Sequence, residues 1–85
     1  MRHELKIWPQ YYQAVSNGSK TFEVRKNDRG FQKGDIVELN EYDPERLEYG
    51  QGGYTDAEVL VFKIGYVLPI DTERVVFSLL PVEEG

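Results

Sequence analysis

The 85-residue sequence contains no cysteine and only one histidine, one methionine and one tryptophan. Without cysteine, disulfide stapling and thiolate chemistry are excluded, which fits a domain folding in the reducing cytoplasm. A lone histidine, His3, cannot assemble a zinc site even though His3-Glu4 begins like a zinc-protease motif, so neither a metal nor another cofactor is expected. Long apolar runs are also missing. The longest, such as residues 59–62, are far too short to span a bilayer, so no membrane partner is expected. Met1-Arg2-His3-Glu4 leads into no apolar stretch, which argues against a secretory leader. Cations are scarce as well: ten against fifteen carboxylates, a net charge of −5.

What is present suffices for one domain, residues 1–85, with a single core. Hydrophobic residues make up 40% of the chain and include six Tyr and four Phe, too many for a disordered segment. The charge is segregated. Residues 1–33 hold Arg2, Lys6, Lys20, Arg25, Lys26, Arg29 and Lys33 against Glu4, Glu23 and Asp28, a balance of +4, and the remainder is −9. Such asymmetry gives an acidic body one positive face.

Residues 9–18 read as one short helix. Pro9 suits the first helical position, Tyr11, Ala14 and Val15 form an apolar stripe, and Gly18 ends the helix in the left-handed region. Residues 21–25 alternate strictly, so Phe22 and Val24 share one face, while Thr21, Glu23 and Arg25 share the other. Asn27-Asp28-Arg29-Gly30 and Lys33-Gly34-Asp35 are turn clusters, the second launching a strand over 36–42. Residues 43–54 read as a polar loop with Pro44, Gly50, Gly52 and Gly53. A longer strand over 57–66 carries a bend or bulge at Gly65. A turn over 68–72 leads to a final strand over 74–80, and 83–85 form a frayed tail. The fold class is α+β, mainly β. Closing these strands into a small barrel, plugged by the helix, removes exposed edges and gives the aromatics one interior.

Several chemistries fail on spacing. Gly18-Ser19-Lys20-Thr21 resembles the end of a P-loop, but Gln13 stands where its first glycine belongs. The glycines at 50, 52 and 53 follow no strand-to-helix pattern. The acidic stretch 43–48 lacks calcium-loop spacing, and no serine sits in a nucleophile elbow. What remains is Gly18-x-Lys20-Thr21-x-Glu23-x-Arg25-x-Asn27-Asp28-Arg29, preceded by His3-Glu4-Leu5-Lys6-Ile7-Trp8-Pro9.

This helix, followed by G-x-K-T-x-E-x-R on a strand and by Gly34-Asp35 at the next one, resembles the ASCH domain family of the PUA-like superfamily. The string HELKIWPQYY…GSKTFEVRKNDRGFQKGD is similar to a bacterial and phage branch of unassigned function. The resemblance is specific through about residue 44. It implies a small PUA-like β-barrel with one short N-terminal helix and a cleft lined by the Lys, Glu and Arg of the motif. It also implies RNA as a partner, because related PUA-like domains bind RNA. Some ASCH members resemble amidohydrolases acting on N4-acetylcytidine, in which the motif reads K-T-x-T-x-R with Lys as base and the second Thr as nucleophile. Here Glu23 stands at that Thr position, and a carboxylate is the poorer nucleophile toward an amide.

The leading expectation is therefore a module that binds RNA or a modified nucleotide through Lys6, Trp8, Lys20, Glu23, Arg25, Asn27 and Arg29. Cations would neutralise phosphate, Glu23 would accept an N–H from a base edge, and Trp8 would stack on a base. The first alternative is an enzyme, either an amidohydrolase on an acylated nucleoside such as N4-acetylcytidine or a nuclease, with Lys20 and Glu23 as catalytic groups. The second is a protein-interaction domain working through acidic residues such as Glu41, Glu45 and Glu48. Each residue also has a plainer reading. Lys20, Glu23 and Arg25 can be a rim salt bridge, Trp8 a helix anchor, and Asn27 and Asp28 turn-formers. His3 suits a structural hydrogen bond.

Overall fold

The computed structural model describes residues 1–45 and 53–82. In chain order the elements are β1 (Arg2–Ile7), α1 (Pro9–Ser16), β2 (Phe22–Lys26), β3 (Ile36–Asp43), β4 (Gly53–Tyr54), β5 (Leu60–Pro69) and β6 (Arg74–Pro81). This is an α+β fold, mainly β. Among the described residues no helix is long and apolar enough to cross a membrane. The expected tail at 83–85 and most of the loop expected over 43–54, including Glu48, Gly50 and Gly52, lie outside the described residues.

Helix α1 starts as its sequence dictates, with Pro9 in the first turn and the Trp8 carbonyl accepting from the Tyr11 and Tyr12 N–H groups at 3.0 and 2.8 Å. Beyond its end Gly18 sits at φ +84°, a conformation that favours glycine. The buried stripe differs from the expected one. Val15 is buried and Tyr12 packs on the core, whereas Tyr11 is exposed. Tyr12 and Val15 are an i,i+3 pair on the face turned to the sheet, and the Tyr12 hydroxyl reaches the Glu58 carbonyl at 2.6 Å.

The strands follow one path, β1-β3-β5-β6-β2, with β4 added to β3. The β1–β3 pair is parallel and the other pairs are antiparallel. Alternation then decides burial: Leu5 and Ile7 of β1, Val37 and Leu39 of β3, Ile64 of β5, and Val75, Phe77 and Leu79 of β6 point inward. Phe31 and Val15 complete that core. The register of β5 on β6 shifts between Ile64 and Val67, the expected bulge at Gly65. A Cβ on Gly65 would lie 2.7 Å from Ser78 Oγ and 2.8 Å from Leu80 Cδ1. Strand β5 runs on through Pro69, beyond the expected end at residue 66. The turn moves accordingly to Asp71, whose carboxylate accepts the Glu73 and Arg74 N–H groups at 2.8 and 2.7 Å.

The expected closure into a barrel is not made: the sheet is open, with β1 and β2 at its two ends. The opening is spanned by a side chain, as Arg25 of β2 donates through Nη2 to the Lys6 carbonyl of β1 at 2.8 Å. Backbone pairing of β1 with β2 would have to displace this bridge from the Lys6 carbonyl.

Candidate functional site

Strand β2 obeys its alternation but turns it over relative to a conventional amphipathic strand. Glu23 is 4% exposed, whereas Phe22 and Val24 are each 44% exposed. The register explains the orientation: Glu23 lies opposite buried Phe77, and Arg25 opposite buried Val75. The polar row predicted for this strand is therefore its inner face.

A clamp of two cations holds the buried carboxylate. Lys20 Nζ donates to Glu23 Oε1, and Arg25 Nε donates to Glu23 Oε2 at 2.8 Å. Lys20 is delivered by the end of α1. Gly18 turns the chain back, the Lys20 N–H bonds the Ala14 carbonyl at 3.0 Å, and Nζ also reaches the Phe22 carbonyl at 2.7 Å. Arg25 uses Nε on Glu23 and Nη2 on the Lys6 carbonyl, so one guanidinium ties the clamp to β1. No buried side-chain nitrogen or oxygen among the described residues lacks a hydrogen-bond partner.

The clamp nonetheless has capacity to spare. An ammonium offers three donors and a guanidinium five, and an ionised carboxylate accepts at about four lone-pair sites. The contacts above occupy two, two and two of these. All three residues line a cleft of about 460 Å³, together with Lys6, Trp8 and Tyr11 among others. Trp8 is 40% exposed there and leans on Tyr42 at 5.9 Å between ring centroids.

Five of the seven predicted site residues (Lys6, Trp8, Lys20, Glu23 and Arg25) meet in this cleft. Arg29 does not. It lines a second cleft of about 710 Å³ that shares Lys6 and Arg25 with the first and adds Glu4, Lys26, Asp28 and Tyr54. Asn27 lines neither cleft and serves its turn, with Oδ1 accepting the Phe31 N–H at 3.1 Å. Sequence reasoning missed Tyr42 and Tyr54, whose rings stand 5.2 Å apart with Lys6 Nζ 4.4 Å from the Tyr42 centroid. Only the β3–β4 pairing, Tyr42 opposite Tyr54, brings them together.

His3 makes the structural hydrogen bond expected of it. Its Nε2 lies 2.8 Å from Asp35 Oδ2, with both residues buried and neither lining the two clefts. Asp35 also accepts from the Met1 amine and the Gln32 N–H, each at 3.1 Å. Burial pushes its carboxyl upward, but the hydrogen bonds outweigh this and hold it below the usual range. Among the described residues no group of three His, Asp or Glu side chains gathers in an arrangement that could hold a metal ion.

Residues 2–79 match the model of the family described as "Domain of unknown function (DUF3850)". The chain belongs to that family. This family member is also similar to the "Uncharacterized 12.9 kDa protein in GpA 3'region" of Escherichia phage P2, with 40% identity over 40 residues. That stretch is 47% of this chain and 37% of the phage protein, so the match spans little more than a third of the relative.

Proposed function

We propose that this cytoplasmic domain is an ASCH-like module that binds RNA or a modified nucleotide, with Lys20, Glu23 and Arg25 as the recognition group. The observation that supports this reading is the burial of Glu23 on the inner face of β2, while Phe22 and Val24 of the same strand lie exposed. Replacing a buried ion group by packed apolar side chains is often neutral or stabilising. Stability alone therefore does not favour a strand with its carboxylate inside and its phenylalanine outside.

The chemistry suits a nucleotide. The spare acceptor sites of Glu23 match the exocyclic amino group of cytosine, as acidic side chains match it in grooves. The unused donors of Lys20 and Arg25 match phosphate. Trp8, which lines the cleft and is partly exposed, provides an aromatic face. The similarity to a phage protein supports a bacterial or phage setting.

The test is a pair of NMR titrations, wild type and Lys20→Ala, with cytidine monophosphate, N4-acetylcytidine and a short single-stranded RNA. Saturable shifts at residues 20–25 that vanish in the variant are expected. Release of acetate from N4-acetylcytidine would instead make the domain an amidohydrolase, with Lys20 and Glu23 as its catalytic groups. Absence of shifts with every ligand would overturn the nucleotide reading.

A further inference from the structure

We infer that the second cleft is a continuation site, and that the ligand is a single-stranded polynucleotide several nucleotides long rather than a free nucleotide. This rests on the nucleotide reading of the first cleft and adds a length to it.

Three observations carry it. First, the clefts are neighbours: Lys6 and Arg25 line both, and the hydrogen bond from Arg25 to the Lys6 carbonyl lies where they adjoin, a polar boundary rather than a wall of apolar residues. Second, charge is concentrated along that line. The two clefts together present Lys6, Lys20, Arg25, Lys26 and Arg29 against Glu4, Glu23 and Asp28, an excess of cations on a chain whose net charge is −5. Third, aromatic rings run beside the cations. Trp8 stands in the first cleft, Tyr54 in the second, and Tyr42 between them at centroid distances of 5.9 and 5.2 Å. Tyr54 is 55% exposed. Basic side chains tracking a backbone beside rings that stack bases is the arrangement that holds single strands.

The second cleft alone would hold a small anion poorly. Its volume, about 710 Å³, exceeds that of the first, so a small anion fills little of it and meets only part of its cationic wall. A strand anchored next door enters it at high effective concentration, which a free nucleotide does not. Arg29 and Lys26, which touch nothing in the first cleft, then serve the phosphates that follow the recognised nucleotide.

The test measures affinity for single-stranded RNA of one, two, four and six nucleotides, using wild type, the Lys26→Ala/Arg29→Ala double variant and Tyr54→Ala. Affinity is expected to rise with length up to about four nucleotides. The double variant should bind the mononucleotide normally but lose most of that rise. Its salt dependence for the hexamer should flatten by about 1.4 in log–log slope, two phosphates' worth for single strands. Tyr54→Ala should weaken the hexamer about tenfold and leave the mononucleotide unchanged. Mononucleotide binding with no gain from length overturns the inference while leaving the nucleotide reading intact. So does an acidic peptide of equal charge that binds as tightly as the hexamer. Absence of binding at every length overturns both.

Discussion

Two groups of buried charge, built from similar parts, behave differently. Under β1 and β3, Asp35 is surrounded by His3, the Met1 amine and the Gln32 N–H, and the His3 ring packs on Phe31 at 4.8 Å. On β2, Glu23 is held by Lys20 and Arg25 at the edge of an open seam. Both carboxylates are buried and both are satisfied. The Asp35 group ties the start of the chain to the turn before β3 and lines neither cleft. The Glu23 group is bound by two cations that, like Glu23 itself, line the first cleft. Burial of charge is common to both groups; what separates them is that only the Glu23 group lines a cleft.

The comparison predicts opposite phenotypes. The largest effect belongs to Asp35→Ala, which leaves buried His3 without its partner and takes the acceptor from the Gln32 N–H and the Met1 amine. A loss of about 3 kcal/mol of stability is expected, a fall in Tm of roughly 15 °C for a domain of this size. Ligand binding at temperatures where the variant remains folded should be unaltered. The same carboxyl governs acid stability. Because its folded value lies below the ordinary 3.8, its contribution is complete above about pH 4 and fades as pH falls through the folded value. Acid titration of wild type against Asp35→Asn, followed by circular dichroism, should therefore show the variant already destabilised at neutral pH and less sensitive to acid.

Glu23→Gln inverts the pattern. The amide keeps the shape of the carboxylate but sets an NH2 donor against Lys20 or Arg25; both cations are about one-fifth exposed and can turn to water, so a stability loss of about 2 kcal/mol is expected while nucleotide affinity falls about tenfold or more. Calorimetry of unfolding and of binding on one sample separates the two. A fall in Tm as large as that of Asp35→Ala, with binding intact, would put Glu23 in the structural class and end the distinction.

Arg25→Lys gives the smallest effect and the finest test. A lysine has no planar fork with which to reach Glu23 and the Lys6 carbonyl together, so the bridge across the seam is lost while the charge remains. A cost of about 1 kcal/mol is expected. It should be accompanied by faster amide exchange along β1 and β2, and not around Asp35.

Local features of the chain were legible before the structure. The Pro9 start and Gly18 stop bound α1, alternation gave β2 its two faces, and Gly65 marked the bulge. The elements that shifted were those ruled by distant neighbours. Tyr12 rather than Tyr11 packs inward because the sheet lies on that side of α1, and β5 runs past residue 66 because β6 pairs with it as far as Pro69.

By itself the sequence determined that Lys20, Glu23 and Arg25 gather at one place, since Glu23 and Arg25 share a strand face and Lys20 needs only to fold back three residues. It also determined that this group would be charged and the opposite face apolar. Only the tertiary structure decided that the charged face points inward, that the sheet stays open beside it, and that Arg29 belongs to a neighbouring cleft. It alone joined His3 to Asp35, and Tyr42 to Tyr54. A period of two is written in any five residues, but which face is buried depends on the partner strand, and here that partner, β6, lies some fifty residues further along the chain.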